Sequence, residues 1–492
     1  MTYDFAIVGS GFGGSICARA LAQSGAKVLV VERGPWRDTQ PVRALGIAER
    51  APLPGGWRVL THGLRTLHSR LLPGGSLTLN RRGMFEVFSM RGLDVLCTSG
   101  VGGGSHAYAG LLDRPADAGY WRGRHPQLEP HQVERYYAGV LQDLGAAPLS
   151  QALHPNTVWS QLRALAAPAF MPAREQDQPH VGVRYPSSGA MAADGAGRSP
   201  SRFDGDSFLG SHGGAKATAD VVYLAPALHA GAQLRELCEV QRIVPGAGAS
   251  YAVELRDLRR RVTERVLADR VIVAAGTMNS LRLLFRSSAS PADGLRPMPA
   301  LGRRFGSNTD MFGFWRQPAA ALSSFDAPAC LGRFTYEGRA APYFVLGSFA
   351  GLQALPLPGF VRRRLGETLL VIAMAQDSGE AGVCWRHGRI AVSYNRASEP
   401  VFEHVQQIFR TLTLASGNRV GIPPKSVTVH PWGGAGIGAD AAQGVVDHRG
   451  EVHGNPGLFV ADGSILPAAP GAPPTLAIAA WAHHIAERLT RG

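Results

Sequence analysis

Lysine is almost missing from this chain. Of its 50 basic side chains only Lys27, Lys216 and Lys425 are lysines, so the formal net charge of +13 is an arginine charge. No basic stretch interleaves with stacking aromatics, which argues against a nucleic-acid groove; a basic surface of this kind suits anionic substrates or membrane surfaces. Cysteine is scarce and scattered. Cys17, Cys97, Cys238, Cys330 and Cys384 are odd in number and never fall in metal spacing such as CxxC, so they read as free, mostly buried thiols. No apolar run reaches the ~18 residues that a spanning helix requires. No basic region followed by a signal-like apolar run opens the chain, and a strand pattern starts at Tyr3; the expectation is a cytoplasmic protein. Charged residues make up only 18% against 45% hydrophobic, the balance of a packed globular protein rather than a disordered or fibrous one.

Glycine and proline, by contrast, are abundant (Gly 61, Pro 34) and have no collagen period, so they imply many tight turns and loops. The most informative turn comes first. Residues 3–8 read as a buried strand, Gly9-Ser-Gly11-Phe-Gly-Gly14 follows, Ile16 to Gln23 has a helical apolar pattern, and Lys27 to Val31 reads as a second strand ending in Glu32. This is a complete βαβ unit in about 30 residues. Gly9 permits the tight turn, Gly11 lets backbone approach a pyrophosphate, and Gly14 lets helix pack on strand. Glu32 stands where a carboxylate accepts from ribose hydroxyls. The unit signals a dinucleotide and leaves NAD or FAD open.

Further along, residues 45–95 look irregular, and a second glycine run spans Gly100 to Gly104, ending at Ser105. Residues 127–145 suggest an amphipathic helix and 186–215 a long loop. Ala219 to Ala230 suggests a helix, Gln233 to Val244 a strand, and the stretches from Tyr251 and Val262 a β-meander. Val271 to Gly276 is a strand ending in glycine, followed by a helix near Ser280–Phe285. Another helix covers Val401 to Ala415. Gly457 to Asp462 is a last strand, and a closing helix runs from Thr475 to Thr490. Strands of one type are scattered over the whole chain, which suggests one nucleotide-binding domain interrupted by insertions.

Gly100-Val-Gly-Gly-Gly-Ser-His-Ala-Tyr-Ala-Gly, Val271-Ile-Val-Ala-Ala-Gly276, His430-Pro-Trp-Gly-Gly434 and Leu458-Phe-Val-Ala-Asp-Gly-Ser464 follow in an order that resembles the glucose–methanol–choline (GMC) oxidoreductases, nearest the bacterial cholesterol oxidase branch. The resemblance implies an α/β (α+β) fold: a Rossmann-like FAD-binding domain (1–44, 214–302 and 448–492) interrupted by a substrate-binding domain with a mixed or antiparallel sheet and helices (45–213 and 303–447). It implies that Gly9, Gly11 and Gly14 hold the FAD pyrophosphate and Glu32 the adenosine ribose. Val240 would meet the adenine through its backbone. Gly102, Gly103, Gly104 and Ser105 would pass near the isoalloxazine, Ala275 and Gly276 would belong to the same site, and Asp462 with Gly463 would lie near the ribityl chain. The family's catalytic histidine matches His430, an imidazole suited to take a hydroxyl proton as hydride leaves carbon.

The chain departs from the family at its second active-site residue, a His or Asn, where Gly471-Ala-Pro473-Pro474-Thr475 offers Pro473 and no side-chain donor. The cysteines that the cholesterol oxidase branch often carries before Gly-Ala-Lys216 are also missing. His106 lies one residue early for a covalent flavin link and reads as a flavin-facing or packing residue. Glu367 reads as a surface carboxylate, Asn308 as a turn or pocket residue, and His483-His484 as a solvated helix face rather than a metal pair; no metal site is expected. Residues 350–364, apolar and then basic through Arg362 to Arg364, suit either a lid touching a membrane or a buried connection. The expected activity is oxidation of a CH–OH group on a hydrophobic small molecule, in secondary metabolism, with oxygen or another electron acceptor. A redox-silent lyase or isomerase, or an FAD-binding protein without catalysis, stands as the alternative.

Overall fold

The computed structural model describes residues 2–149, 169–185, 195–202, 208–246, 250–317, 323–325 and 327–491. The opening unit forms as its periodicity dictates. Strand β1 (Thr2–Val8) runs parallel to β2 (Val28–Val31), with helix α1 (Phe12–Gln23) between them. Neither strand alternates over its buried part, as expected for a strand covered on both faces.

Strands from distant parts of the chain complete this sheet. Thr263–Val273 pairs parallel with β1, Leu458–Val460 pairs parallel with Thr263–Val273, and Gln233–Arg235 pairs parallel with β2. Cys238–Pro245 and Tyr251–Asp257 add an antiparallel meander. The single strand expected over Gln233–Val244 is therefore two. Leu237, at φ 52, breaks it, and the halves pair with different neighbours. The closing helix Thr475–Arg491 packs on α1.

A second, wholly antiparallel sheet orders Val420–Gly421, Met311–Arg316, Thr368–Met374, Arg339–Gly347, Cys330–Tyr336 and Phe170–Pro172 side by side. The molecule is thus a mixed α/β fold with a Rossmann-like layer and an antiparallel layer. A third sheet lies where irregular chain is expected. Leu64–Ser69, Ser76–Thr78, Phe85–Ser89 and Leu93–Thr98 join Ser426–Thr428. Its alternation is disguised because buried positions carry Arg65, Thr66 and Glu86.

Two other expectations change. The helix over 127–145 is broken into His131–Glu134 and Tyr137–Asp143. His483 and His484 are not on a solvated face. His483 stacks on Tyr136, while the His484 ring bonds the carbonyls of His448 and Gln132. Burial pushes both imidazoles down to about 4. No three metal-ligating side chains cluster among the described residues. All five cysteines are free thiols, three of them buried. Part of the loop expected over 186–215 lies outside the described residues.

Candidate active site

One cavity of about 550 Å³ is lined by Glu239, Val240 and Arg286, by the first glycine turn, and by His430 and Pro473. Each glycine of that turn has a distinct duty. A Cβ on Gly9 would lie 2.3 Å from the Ala274 carbonyl oxygen, and one on Gly14 2.0 Å from that of Gly9, so both are required by backbone packing. Gly13, which the spacing does not single out, is equally tight: a Cβ there would fall 1.7 Å from the Ala461 carbonyl oxygen. Gly11 differs, because a Cβ there would meet nothing within 4 Å and would project into open space. Gly11 also caps α1 with no side chain, so the first amides of the helix keep their donors for an anion.

The two glycine runs touch. A Cβ on Gly103 would come within 2.8 Å of the Gly11 Cα, and the Gly102 amide donates to the Ser10 hydroxyl (3.2 Å). Ser10 in turn donates to Glu32 Oε2 from its hydroxyl (2.8 Å) and its amide (3.1 Å), while the Gly34 amide donates to Oε1 (2.8 Å). The Glu32 carboxylate is thereby fixed at the cavity wall with acceptor capacity to spare. Sequence reasoning missed Ser10, although it stands inside the motif.

Not every candidate reaches the cavity. Gly103 and Gly104 line it, but Gly102 and Ser105 do not. The Ser105 hydroxyl turns back to the Gly102 carbonyl (2.7 Å), so these two shape the run from behind. His106 is buried behind it as well, with Nε2 2.8 Å from the Val101 carbonyl oxygen and 3.4 Å from Asp220; it is a packing residue, not one facing the cavity. Val240 lines the cavity just before a β-bulge. Ala275, Gly276, Asp462 and Gly463 line it together. Asp462 accepts from the Gly276 amide (2.9 Å), from the Ser280 hydroxyl, and from both the amide and hydroxyl of Ser464. It ties the end of one parallel strand to the turn after its neighbour. Burial pushes its carboxyl up.

Beside Glu32, Arg33 and Asn279 also line the cavity, and both bond the buried Glu86 (2.6 and 3.0 Å). Glu86 lies well below the usual carboxylate range because Arg33 and His68 outweigh its burial. No spacing signal pointed to this brace, whose members come from three distant segments.

The far end is apolar because strands alternate. Phe312 and Phe314 project from one strand opposite Ile372 and Leu370 on the next, and Phe349 stacks on Phe314 at 6.1 Å. Glu367 lies outside the cavity, 3.8 Å from Arg316, as a surface carboxylate.

His430 faces this apolar end. Its Nδ1 lies 2.8 Å from Oδ1 of Asp310, a side chain wholly buried beneath it. Asp310 Oδ2 accepts from the Val429 amide (2.9 Å), the His430 amide (3.2 Å) and the Thr428 hydroxyl (2.8 Å). Among the described residues Nε2 has no protein partner and is the ring nitrogen left to the cavity. Asp310 was not foreseen; the signal was an acid at the head of the strand Met311–Arg316. Asn308 does not line the cavity. Its side chain accepts from the Gly471 amide (2.7 Å) and donates to the Ala472 carbonyl (3.1 Å), fixing the loop that presents Pro473.

A dinucleotide flavin fits these residues. The cavity reaches both glycine runs, it meets a helix N-terminus with no side-chain cap beside Gly11, and it carries an anchored carboxylate. Residues 188–309 and 422–482 match family models described as GMC oxidoreductase, and residues 7–70 match a NAD(P)-binding Rossmann-like domain.

The chain carries the N- and C-terminal domains of the GMC oxidoreductases.

A GMC-type oxidoreductase of Mycobacterium tuberculosis is 27% identical over 99% of this chain and 75% of its own length. A cholesterol oxidase of Acinetobacter baumannii is 25% identical over 98% of this chain and 93% of its own. A cholesterol oxidase of Mycobacterium tuberculosis is also 25% identical, over 98% and 90%. The structure of a fungal aryl-alcohol oxidase superposes with a TM-score of 0.61 at 16% identity, covering 100% of this chain and 99% of that one, a likeness of fold. The protein is an oxidoreductase of the GMC type.

Proposed function

We propose that this GMC oxidoreductase binds FAD and oxidises a CH–OH group of a hydrophobic, polycyclic or lipid-like substrate, hydride passing to flavin N5 and the hydroxyl proton to His430. The observation that carries the proposal is His430 itself, held through Nδ1 by a buried carboxylate with Nε2 left to an apolar-walled cavity. FAD, when bound, supplies the two-electron acceptor.

The chain's own residues do the rest. Gly9, Gly11, Gly14 and the α1 N-terminus would hold the pyrophosphate, and Glu32 the adenosine ribose. Val240, Gly103, Gly104, Gly276 and Asp462 would frame the remainder. Phe312, Phe314 and Phe349 hold the apolar body of the substrate and exclude water. His430 Nε2 takes the proton from the hydroxyl oxygen as the C–H bond breaks. The names of the cholesterol oxidase and aryl-alcohol oxidase relatives support a bulky alcohol, with dioxygen or another acceptor taking the electrons.

The test is anaerobic flavin reduction against a panel of benzyl alcohol, cinnamyl alcohol, long-chain alcohols and cholesterol. His430→Ala should slow reduction by about 10²–10⁴-fold. A variant reducing as fast as wild type refutes the assignment. Pro473 keeps a second reading in view, since among the cavity-lining residues it leaves no His or Asn donor where the family has one. Product formed without flavin bleaching would favour a lyase or isomerase, and no turnover at all an FAD-binding protein without catalysis.

The proposal extends to substrate delivery. Leu352 and Leu365 pack on the apolar end of the cavity, while Phe360, on the helix Gly359–Gly366, is 69% exposed beside Arg362 to Arg364. The turn carrying Trp57, 75% exposed, packs on Leu352–Ala354. This apolar and basic surface suits peripheral contact with a membrane by a cytoplasmic enzyme. No helix among the described residues is long and apolar enough to cross one.

A further inference from the structure

We infer that Asp310 is a positioning residue: it locks His430 in the tautomer with hydrogen on Nδ1, so that Nε2 is a bare base in the cavity, and a single Asp–His pair does here what the family divides between two side chains. The inference rests on the function proposed above.

The geometry places a hydrogen on Nδ1. Two amides and the Thr428 hydroxyl surround Asp310 Oδ2, and the remaining oxygen faces His430 Nδ1 at 2.8 Å. A carboxylate can only accept, so Nδ1 donates, and in the neutral ring Nε2 keeps its lone pair. The carboxylate cannot swing away. The Asp310 side chain is wholly buried and sits at the end of a turn in which Asn308 (φ 56) and Thr309 (φ 49) both hold left-handed backbone. Non-glycine residues in that region are held there by their surroundings. Here the surroundings are the reaction site itself. Ser307 donates its amide to Asp377 (2.6 Å), Asn308 clamps the loop carrying Pro473, and Asp310 clamps His430. One four-residue turn therefore fixes both walls of the site.

The consequence is chemical. When the substrate O–H bond breaks, its proton moves to Nε2, and the electron pair left on oxygen forms the C=O bond as hydride departs for the oxidised flavin. The imidazole becomes a cation, and Asp310 at Nδ1 offsets that charge. At the second wall Pro473 offers no side-chain donor, so the help assigned to the hydroxyl is that of the pair.

Asp310→Asn tests this with little change of shape. Its amide oxygen can accept from Val429 and His430, which turns the amide nitrogen toward His430 Nδ1 and forces the hydrogen onto Nε2. In the holoenzyme, with the alcohol of the panel above that bleaches the flavin fastest, reduction should slow by about 10²–10⁴-fold. Flavin content, melting temperature and the apparent substrate dissociation constant should stay near wild type. The Asp310→Asn, His430→Ala double variant should be no slower than the slower single one. A slow His430→Ala beside an Asp310→Asn as fast as wild type overturns this inference and leaves the proposed function standing; a fast His430→Ala overturns the proposed function instead. A measurement that needs neither a substrate nor the variant is the ring-¹⁵N histidine spectrum of wild-type holoenzyme. The resonances assigned to His430, by their loss in His430→Ala, should report hydrogen on Nδ1. Hydrogen on Nε2 overturns the inference.

Discussion

Gly11→Ala separates what the fold needs from what the cofactor needs, because its effect should reverse sign when FAD is present. The residue sits at φ −69, ψ −169, extended backbone that alanine adopts without strain. The new methyl would meet no atom of the protein within 4 Å. In the apoprotein the substitution only removes conformational freedom from the unfolded chain, and it should stabilise by about 0.4–1 kcal/mol. The space the methyl enters is the space assigned to the pyrophosphate, so binding should collapse. Wild type in FAD at about 1,000 times its dissociation constant gains about 4 kcal/mol from ligation, and the variant forfeits that gain.

The assay is a pair of melting curves, with and without added FAD, alongside the absorbance of the purified protein. Wild type should be yellow and should melt higher with FAD. Gly11→Ala should be colourless, melt at or above wild-type apoprotein, and ignore added FAD. Gly14→Ala is the contrast: its methyl would lie 2.0 Å from a carbonyl oxygen, so the fold itself should fail with or without cofactor. A yellow Gly11→Ala protein whose melting rises with FAD as wild type does would refute the placement of the pyrophosphate at this turn.

Pro473→Asn should either raise flavin reduction by simple secondary alcohols, if it restores a second donor, or leave it unchanged; a fall in His430-dependent reduction would show that Pro473 contributes by shape. Acid should destabilise the protein through His483 and His484. Their folded values lie near 4, below the unfolded value, so protons bind the unfolded chain first as pH drops through the window from 6.5 to 4. The loss between pH 7 and pH 5 should be about 2 kcal/mol per histidine by denaturant titration, and His483→Phe should remove roughly half of the combined slope. Phe360→Asp should weaken co-sedimentation with anionic phosphatidylserine vesicles while leaving soluble-alcohol oxidation untouched; equal sedimentation would remove 350–364 from the membrane contact.

The βαβ unit was legible because every level of it agrees: β1 and β2 lack alternation, α1 has its helical face, and the glycines recur at fixed offsets. The closing helix and the strand ending at Asp462 were legible for the same reason. The sheet within 64–98 was not, since its inward positions hold Arg65, Thr66 and Glu86 in place of apolar side chains. Arg33 on the first unit neutralises Glu86 across a gap of 53 residues, and no local pattern can announce that pairing. His483 and His484 misled for a related reason: two adjacent histidines on a helix look polar, yet each ring finds aromatic or carbonyl partners on other elements.

The reaction site shows where a motif stops being sufficient. His430 could be matched by its neighbours in sequence, but the role proposed for it rests on Asp310, 120 residues away, through a bond that the pairing of Phe305–Gly306 with Trp432–Gly433 helps bring within reach. That pairing lays the turn 307–310 alongside 428–430, and the left-handed backbone at Asn308 and Thr309 then points one side chain to each wall. Nothing in the spacing of Gly-Ser-Asn-Thr-Asp reveals left-handed residues, because asparagine tolerates that region and threonine does not advertise it. The same turn explains why a proline is tolerable at 473. Asn308 holds the peptide groups of Gly471 and Ala472, so the loop keeps its place without a side chain of its own, and the proline ring is part of the cavity wall. The place of Pro473 and the clamp on His430 therefore both depend on one buried turn, and a variant that disturbs Asn308 should move both walls at once.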